Sequence, residues 1–145
     1  MKLIIDQSPD TEDVEIHIKC GLIDEELEKL ISQIRLYSFS VTAKKGDKIY
    51  NLRLGDVYYF ESVDNRTFIY TADEVYDCSL RLYELESQLT KTNFVRVSKS
   101  CILNLMVLKS VRALLNGRME AELENGEKLI ISRHYVDSIK QKLEL

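Results

Sequence analysis

The sequence predicts a mainly β fold, α+β overall, and three observations predict it. Two Asn-Gly pairs, Asn116-Gly117 and Asn125-Gly126, each stand between β-prone runs, as tight hairpins require. Val57–Ser62 and Thr67–Thr71 are rich in aromatic and β-branched residues and are joined by the short link Val63-Asp64-Asn65-Arg66. Helical spacing of apolar residues is confined to three short segments.

Taken in order, Met1-Lys2-Leu3-Ile4-Ile5-Asp6 turns acidic after three apolar residues, which is not the pattern of a secretory signal. Pro9, the only proline, lies in a polar loop, Asp6–Asp13. Val14-Glu15-Ile16-His17-Ile18-Lys19 alternates as a half-buried strand does, with His17 on the polar phase. Asp24 can cap a helix with Glu25 and Glu26 in its first turn. Leu27, Leu30, Ile31 and Ile34 give that helix one apolar stripe. Ser38–Thr42 returns to strand character, making a small β-β-α-β extension over residues 1–43, expected to serve dimerisation or regulation. The turn Lys44-Lys45-Gly46-Asp47 marks the expected boundary with a second unit, residues 44–145.

In that second unit Glu74–Cys78 continues the strands, and Ser79 can cap a helix bearing Leu82, Leu85 and Leu89 on one face. Phe94-Val95-Arg96-Val97 and the polar cluster Ser98-Lys99-Ser100 follow. The Asn-Gly pairs then predict a meander of Val107–Leu115, Arg118–Leu123 and Lys128–Ile131, with type I′ turns. Ser132 caps a last helix, with Val136, Ile139 and Leu143 inward and Lys140 and Lys142 near its negative end.

Composition narrows the function. The 145 residues are 45% hydrophobic and 30% charged, ordinary for a soluble globular chain. No apolar run approaches the roughly 20 residues that cross a bilayer, so a cytoplasmic location is expected. Cys20, Cys78 and Cys101 lie far apart and only His17 and His134 accompany them, so neither metal site nor cofactor is expected. The cysteines read as small, more or less buried thiols, with redox sensing by Cys101 as the minor reading. No glycine-rich phosphate loop, Gly-x-Ser-x-Gly elbow or cysteine–histidine pairing is present. Paired acids such as Glu84 and Glu86 read as solvated surface, so no enzyme and no small-molecule substrate are expected.

The net charge of −4 conceals an uneven distribution. Residues 1–45 carry 6 Lys/Arg and 9 Asp/Glu, a balance of −3, and residues 46–145 carry 14 and 15, a balance of −1. No acid occurs from Ser87 to Met119, where Lys91, Arg96, Lys99, Lys109, Arg112 and Arg118 all fall. Local field governs phosphate binding more than total charge does. One side of an acidic protein can therefore attract nucleic acid, although a solvated basic face would show the same run.

From Val57 to Thr71 the sequence resembles the second-strand signature of LytTR DNA-binding domains. Phe94-Val95-Arg96-Val97-Ser98-Lys99-Ser100, with Asn104-Leu105 beyond it, resembles that family's central segment, and Asn125-Gly126-Glu127, Ile131-Ser132-Arg133 and Tyr135 resemble its closing motif. The order and spacing agree over residues 44–145. The resemblance implies an elongated fold of small stacked β-sheets that presents loops to successive major grooves. It implies a bacterial transcriptional regulator bound to double-stranded promoter DNA at paired direct repeats, and a homodimer follows from the pairing. Carried over by position, DNA contacts fall on Asn65 or Arg66, on Arg96, Ser98, Lys99 and Ser100, and on Arg133. Some members have a histidine near the first turn, where this sequence has Asn65 and Arg66. Many join the domain to a phosphorylated receiver, for which the preceding residues are too few. The sequence is thus similar to short, free-standing regulators, some of them restrained by a membrane protein.

The residue chemistry agrees. Arg133 can fork onto guanine O6 and N7, and Lys99 between two serine hydroxyls suits phosphate oxygens. A cation in the first turn of a helix opposes the dipole, which fits placement for function. The bland reading of Arg133 is an ion pair with Glu127 or Asp137. Two rival functions stand: an RNA-binding module, needing Tyr58, Tyr59 and Tyr70 to point outward together, and a protein-interaction module with an incidental basic stretch.

Overall fold

In the computed structural model, which describes residues 1–145, ten strands and three helices build two antiparallel sheets. Helix α1 (Glu25–Ser38) leads into β1 (Ser40–Lys45), β2 (Lys48–Arg53), β3 (Tyr59–Val63), β4 (Arg66–Tyr70) and β5 (Val75–Cys78). Helix α2 (Leu82–Gln88) precedes β6 (Phe94–Ser98) and β7 (Cys101–Asn104). These seven strands form one sheet in the order β2-β1-β5-β4-β3-β7-β6. The meander β8 (Leu108–Ala113), β9 (Met119–Leu123) and β10 (Lys128–Ile131) forms the second sheet, and α3 (Arg133–Leu143) closes the chain. The mainly β expectation holds.

The larger sheet is buried on both faces at β3, β7 and β6, and period-2 alternation sorts its side chains. Phe60, Ile102 and Phe94 enter a core closed by Leu36 of α1 and by Leu82, Leu85 and Leu89 at α2. Tyr59, Cys101, Leu103, Val95 and Val97 enter a second core, closed by Ala121, Leu123 and Ile131 of the meander and by Val136 and Ile139 of α3.

The turns differ from expectation in an instructive way. The two-residue turn with two positive φ values is Asp64-Asn65, at 51° and 62°, between the paired residues Val63 and Arg66. Asp and Asn tolerate the left-handed region better than other side chains, so no glycine is needed there. Asn116 and Gly117 do adopt positive φ, 64° and 75°, but within a three-residue loop closed by Leu114 N–H donating to the Arg118 carbonyl. At the other pair only Gly126 is positive, at 88°. There Gly126 N–H donates to the Leu123 carbonyl, and the Asn125 side chain accepts from Glu127 N–H and donates to the Ala72 carbonyl.

The N-terminal expectation needs correction. Residues 1–24 form no strand and all are exposed, so the strand at Val14–Lys19 and the β-β-α-β extension are absent. One alternating segment cannot form a strand unless an edge pairs with it. Asp24 caps α1 as expected, its Oδ1 accepting from Leu27 N–H at 2.9 Å. The turn at Lys44–Asp47 joins β1 to β2, so a division between residues 43 and 44 falls inside β1. Before that division lie Leu36, Val41 and Ala43, all in the first core. Helix α2 is capped by Arg81 rather than Ser79, and neither Arg81 nor Ser132 makes a side-chain cap bond.

Asn104 anchors the chain where it leaves the large sheet. It is fully buried, its Nδ2 donates to the Val57 carbonyl at 2.9 Å and its Oδ1 accepts from Met106 N–H at 3.0 Å. Its own N–H donates to the Tyr58 carbonyl. Asn104→Ala leaves the buried Val57 carbonyl without that donor, and an orphaned buried group costs about 1–3 kcal/mol. Chemical denaturation should show a loss of that size; a midpoint equal to wild type would remove Asn104 from this role.

Candidate nucleic-acid interface

Pairing brings the expected contact residues to one end of the large sheet. β3 and β4 meet at Asp64-Asn65, while β6 and β7 meet at Lys99-Ser100. Glu61 pairs with Cys101, and Ser62 N–H donates to the Ser100 carbonyl at 2.8 Å, so the two turns are neighbours. Ser132 N–H donates to the Val97 carbonyl at 2.8 Å, which seats the start of α3, and with it Arg133, beside the β6–β7 turn. Asn65, Arg66, Arg96, Ser98, Lys99, Ser100 and Arg133 therefore share one end of the molecule.

Their side chains are engaged differently. Arg66 donates to Asp77 Oδ1 at 2.6 Å and lies over the Phe68 ring. The Arg96 side chain is only 17% exposed; its Nε donates to Glu86 Oε2 at 2.9 Å and its Nη1 to the Lys99 carbonyl. Arg96 thus braces the turn that carries Lys99. The Ser98 hydroxyl accepts from Ser100 N–H, closing the same turn. Lys99 and Arg133 are exposed and have no acid within ion-pair distance. The ion pair of Arg133 with Glu127 or Asp137 does not form: Glu127 instead accepts from the Tyr59 hydroxyl at 2.8 Å and from Asn125.

Two arginines at this end escaped the sequence reading as site residues. Arg81 donates to the Asn65 carbonyl and so props the first turn. Arg118 stands in the β8–β9 loop, where a Cβ on Gly117 would lie 3.1 Å from Cγ and Cδ of Arg133. The Arg133 stem therefore rests on the bare backbone of Gly117. The Asn-Gly pair could have flagged this loop, but nothing in sequence placed it beside Arg133.

The basic run divides once folded. Arg112 makes two bonds to Glu120, which holds its guanidinium above and the Glu120 carboxyl below their ordinary pKa values. Lys109 faces Glu122. The acids following Met119 thus neutralise β8 across the small sheet, while Lys99, Arg118 and Arg133 stay unpaired.

The aromatics offer no stacking platform. Tyr59 is buried and stacks on Tyr70 at 4.3 Å, and Tyr58 and Tyr70 pack half-buried against the second core. The three do not point outward together.

The profile of the LytTr DNA-binding domain matches residues 47–144. The chain is similar to the sensory transduction protein LytT of Enterococcus faecalis, with 30% identity over 99 residues, 68% of this chain and 41% of that protein. It is similar to an uncharacterized HTH-type transcriptional regulator of Staphylococcus aureus, with 32% identity over 98 residues, 68% of this chain and 66% of that protein. The chain thus spans less than two thirds of either relative. A solved LytTr DNA-binding domain from Bacillus cereus has the same fold, with a TM-score of 0.69 at 24% identity over 73% of this chain and 97% of that one.

Burial pushes the Cys101 thiol up to about 12, with Glu61 adding to it. A thiol so held is protonated at neutral pH and a poor nucleophile, which weighs against redox sensing. Cys20 is exposed. Under native conditions at pH 8, Ellman's reagent should label Cys20 first and leave Cys101 unlabelled until the protein unfolds. Fast native labelling of Cys101 in a Cys20→Ser/Cys78→Ser background would contradict its burial.

Proposed function

Because the chain belongs to the LytTr DNA-binding domain family, we propose that it is a transcriptional regulator reading promoter DNA sequence-specifically with the turns at one end of its large sheet. The observation that carries this reading is the grouping of Lys99, Arg118 and Arg133, exposed cations without acid partners, on neighbouring turns. Such an arrangement suits the phosphate–base–phosphate pattern of a groove. Arg133 is the base reader, Lys99 and Ser100 hold phosphate, Asn65 and Arg66 contact an adjacent groove, and Arg96 and Ser98 keep the Lys99 turn in shape. Arg118 joins them as a phosphate contact. Acting on DNA, the protein works in the cytoplasm, and two copies occupy paired direct repeats. No catalysis is proposed, and a restraining membrane protein is a partner class that only the resemblance brings.

Lys99→Ala is expected to weaken cognate and random duplexes by similar factors, since a phosphate contact carries no base information. Loss confined to the cognate duplex in a gel-shift titration would reassign Lys99 to base reading.

Arg133 is tested by selecting sites from a random pool. A bidentate guanine contact discriminates by about 1–3 kcal/mol, so Arg133→Ala should erase the preference at one base pair per half-site. Arg133→Lys should keep affinity for random DNA better than it keeps specificity, because an ammonium lacks the fork. If wild type and both variants recover one sequence with equal stringency, Arg133 is not the reader.

A further inference from the structure

Helix α1 has its apolar stripe on the side away from the protein. Its contacts with the body include Lys29, whose Nζ donates to Glu144 Oε1 at 3.0 Å, Ser32, whose hydroxyl donates to the Lys91 carbonyl at 2.9 Å, the buried Leu36, and Tyr37, whose ring lies under the Arg53 guanidinium. At about 100° per residue, these contacts centre roughly 180° around the helix from Leu27, Leu30, Ile31 and Ile34. All four are half-buried, and none belongs to either core or packs against one. Nearby in sequence, Val14, Ile16, Ile18, Leu22 and Ile23 are exposed. So many apolar side chains outside both cores mark an association site.

We propose that this surface binds a second copy of the chain in a two-fold, antiparallel arrangement. Charge complementarity identifies the occupant. The first turn of α1 is acidic, with Glu25, Glu26 and Glu28, and its last turn carries Arg35. Glu28 and Arg35 lie on the same flank of the apolar stripe, within about 20° of each other. In a two-fold pair of antiparallel helices each flank meets its own equivalent, so Glu28 of one copy meets Arg35 of the other, twice. The helix dipoles also oppose one another favourably.

The segment before the helix carries the same symmetry. An antiparallel pair of Val14–Lys19 segments centred on His17 sets Glu15 opposite Lys19 of the second copy and Ile16 opposite Ile18. Opposite charges and apolar pairs across strands both stabilise. The alternation that goes unpaired in one chain thus becomes a strand pair in two. A stable interface buries roughly 800 Å² per partner, more than four side chains of one helix supply, so helix and segment are both needed. Cys20–Asp24 joins them, and five extended residues span at most about 17 Å, enough for the segments to pair beside the helices. Because α1 is fixed to the body, the two-fold also relates the DNA-reading ends, so this pair is a different arrangement from the two copies on direct repeats of the proposed function, and association is measured without DNA so that the two fail separately.

Sedimentation equilibrium of the full chain at micromolar concentration tests it. Wild type is expected to dimerise. The Leu30→Glu/Ile31→Glu variant is expected to dissociate at least ~10-fold more readily while keeping a cooperative thermal transition, because both sites lie outside the cores. Glu28→Arg and Arg35→Glu should each weaken the dimer, and together restore it. In a Cys20→Ser background, His17→Cys should cross-link two copies on oxidation, since directly opposed residues are within disulfide reach. A monomeric wild type, as expected if the segment covers the stripe of its own chain, overturns the proposal. So does a dimer indifferent to Leu30→Glu/Ile31→Glu, failure of the charge exchange to restore association, or failure of the His17→Cys chains to cross-link.

Discussion

The fold depends on a sheet that is buried on both sides at once, and on Asn104, which lies where the chain leaves it. Beyond Asn104 the backbone turns through Leu105–Val107 into the meander that covers the second core. A side chain that donates to Val57 and accepts from Met106 fixes the angle of that exit. An apolar residue of the same size would leave the Val57 carbonyl without its donor at a fully buried position. The meander in turn delivers β10 and α3 to β6, through the bond from Ser132 to Val97. Arg133 thus owes its position beside Lys99 to a chain of backbone bonds that passes through one amide.

Much of this was legible in the sequence because its causes are local. Asp24 caps α1 through its own carboxylate, β3 and β4 follow from β-branched and aromatic runs, and the meander follows from its Asn-Gly pairs. The turn preferences of Asn, Asp and Gly located three hairpins, though which pair takes which turn depended on loop length. Asp64-Asn65 makes the two-residue turn because Val63 and Arg66 are in register, a tertiary fact. The strand expected at Val14–Lys19 fails for the opposite reason: its pattern is complete, but the single chain gives it no edge. Period alone states a preference and says nothing of a partner.

The site was legible in its residue types and much less so in their engagement. Lys99 and Arg96 are equally basic in sequence, yet Glu86 and two turn carbonyls occupy Arg96 while Lys99 projects freely. Arg112 and Arg118 are six residues apart, and only the first meets an acid across its sheet. No composition window can separate these cases, since the separating partner lies on another strand. The same sorting explains how a chain of net charge −4 keeps a group of free cations: its acids pair with other cations and leave Lys99, Arg118 and Arg133 without a partner.

The arginines thereby divide into those that hold turns and those left to touch a ligand. A loop reads bases accurately only if its backbone is as rigid as a helix would be. In the proposed reading turns the backbone is braced by guanidinium groups aimed at main-chain carbonyls, Arg81 at Asn65 and Arg96 at Lys99, and by Ser98 closing its own turn. Arg133 gains its support differently, by resting its stem on Gly117, where any side chain would push it aside. A cation at the first position of α3 works against the helix dipole, and no side-chain cap at Ser132 relieves it. That local cost is opposed by the packing of Val136 and Ile139 in the second core. The helix can therefore begin with a residue suited to an anionic groove instead of one suited to its own stability.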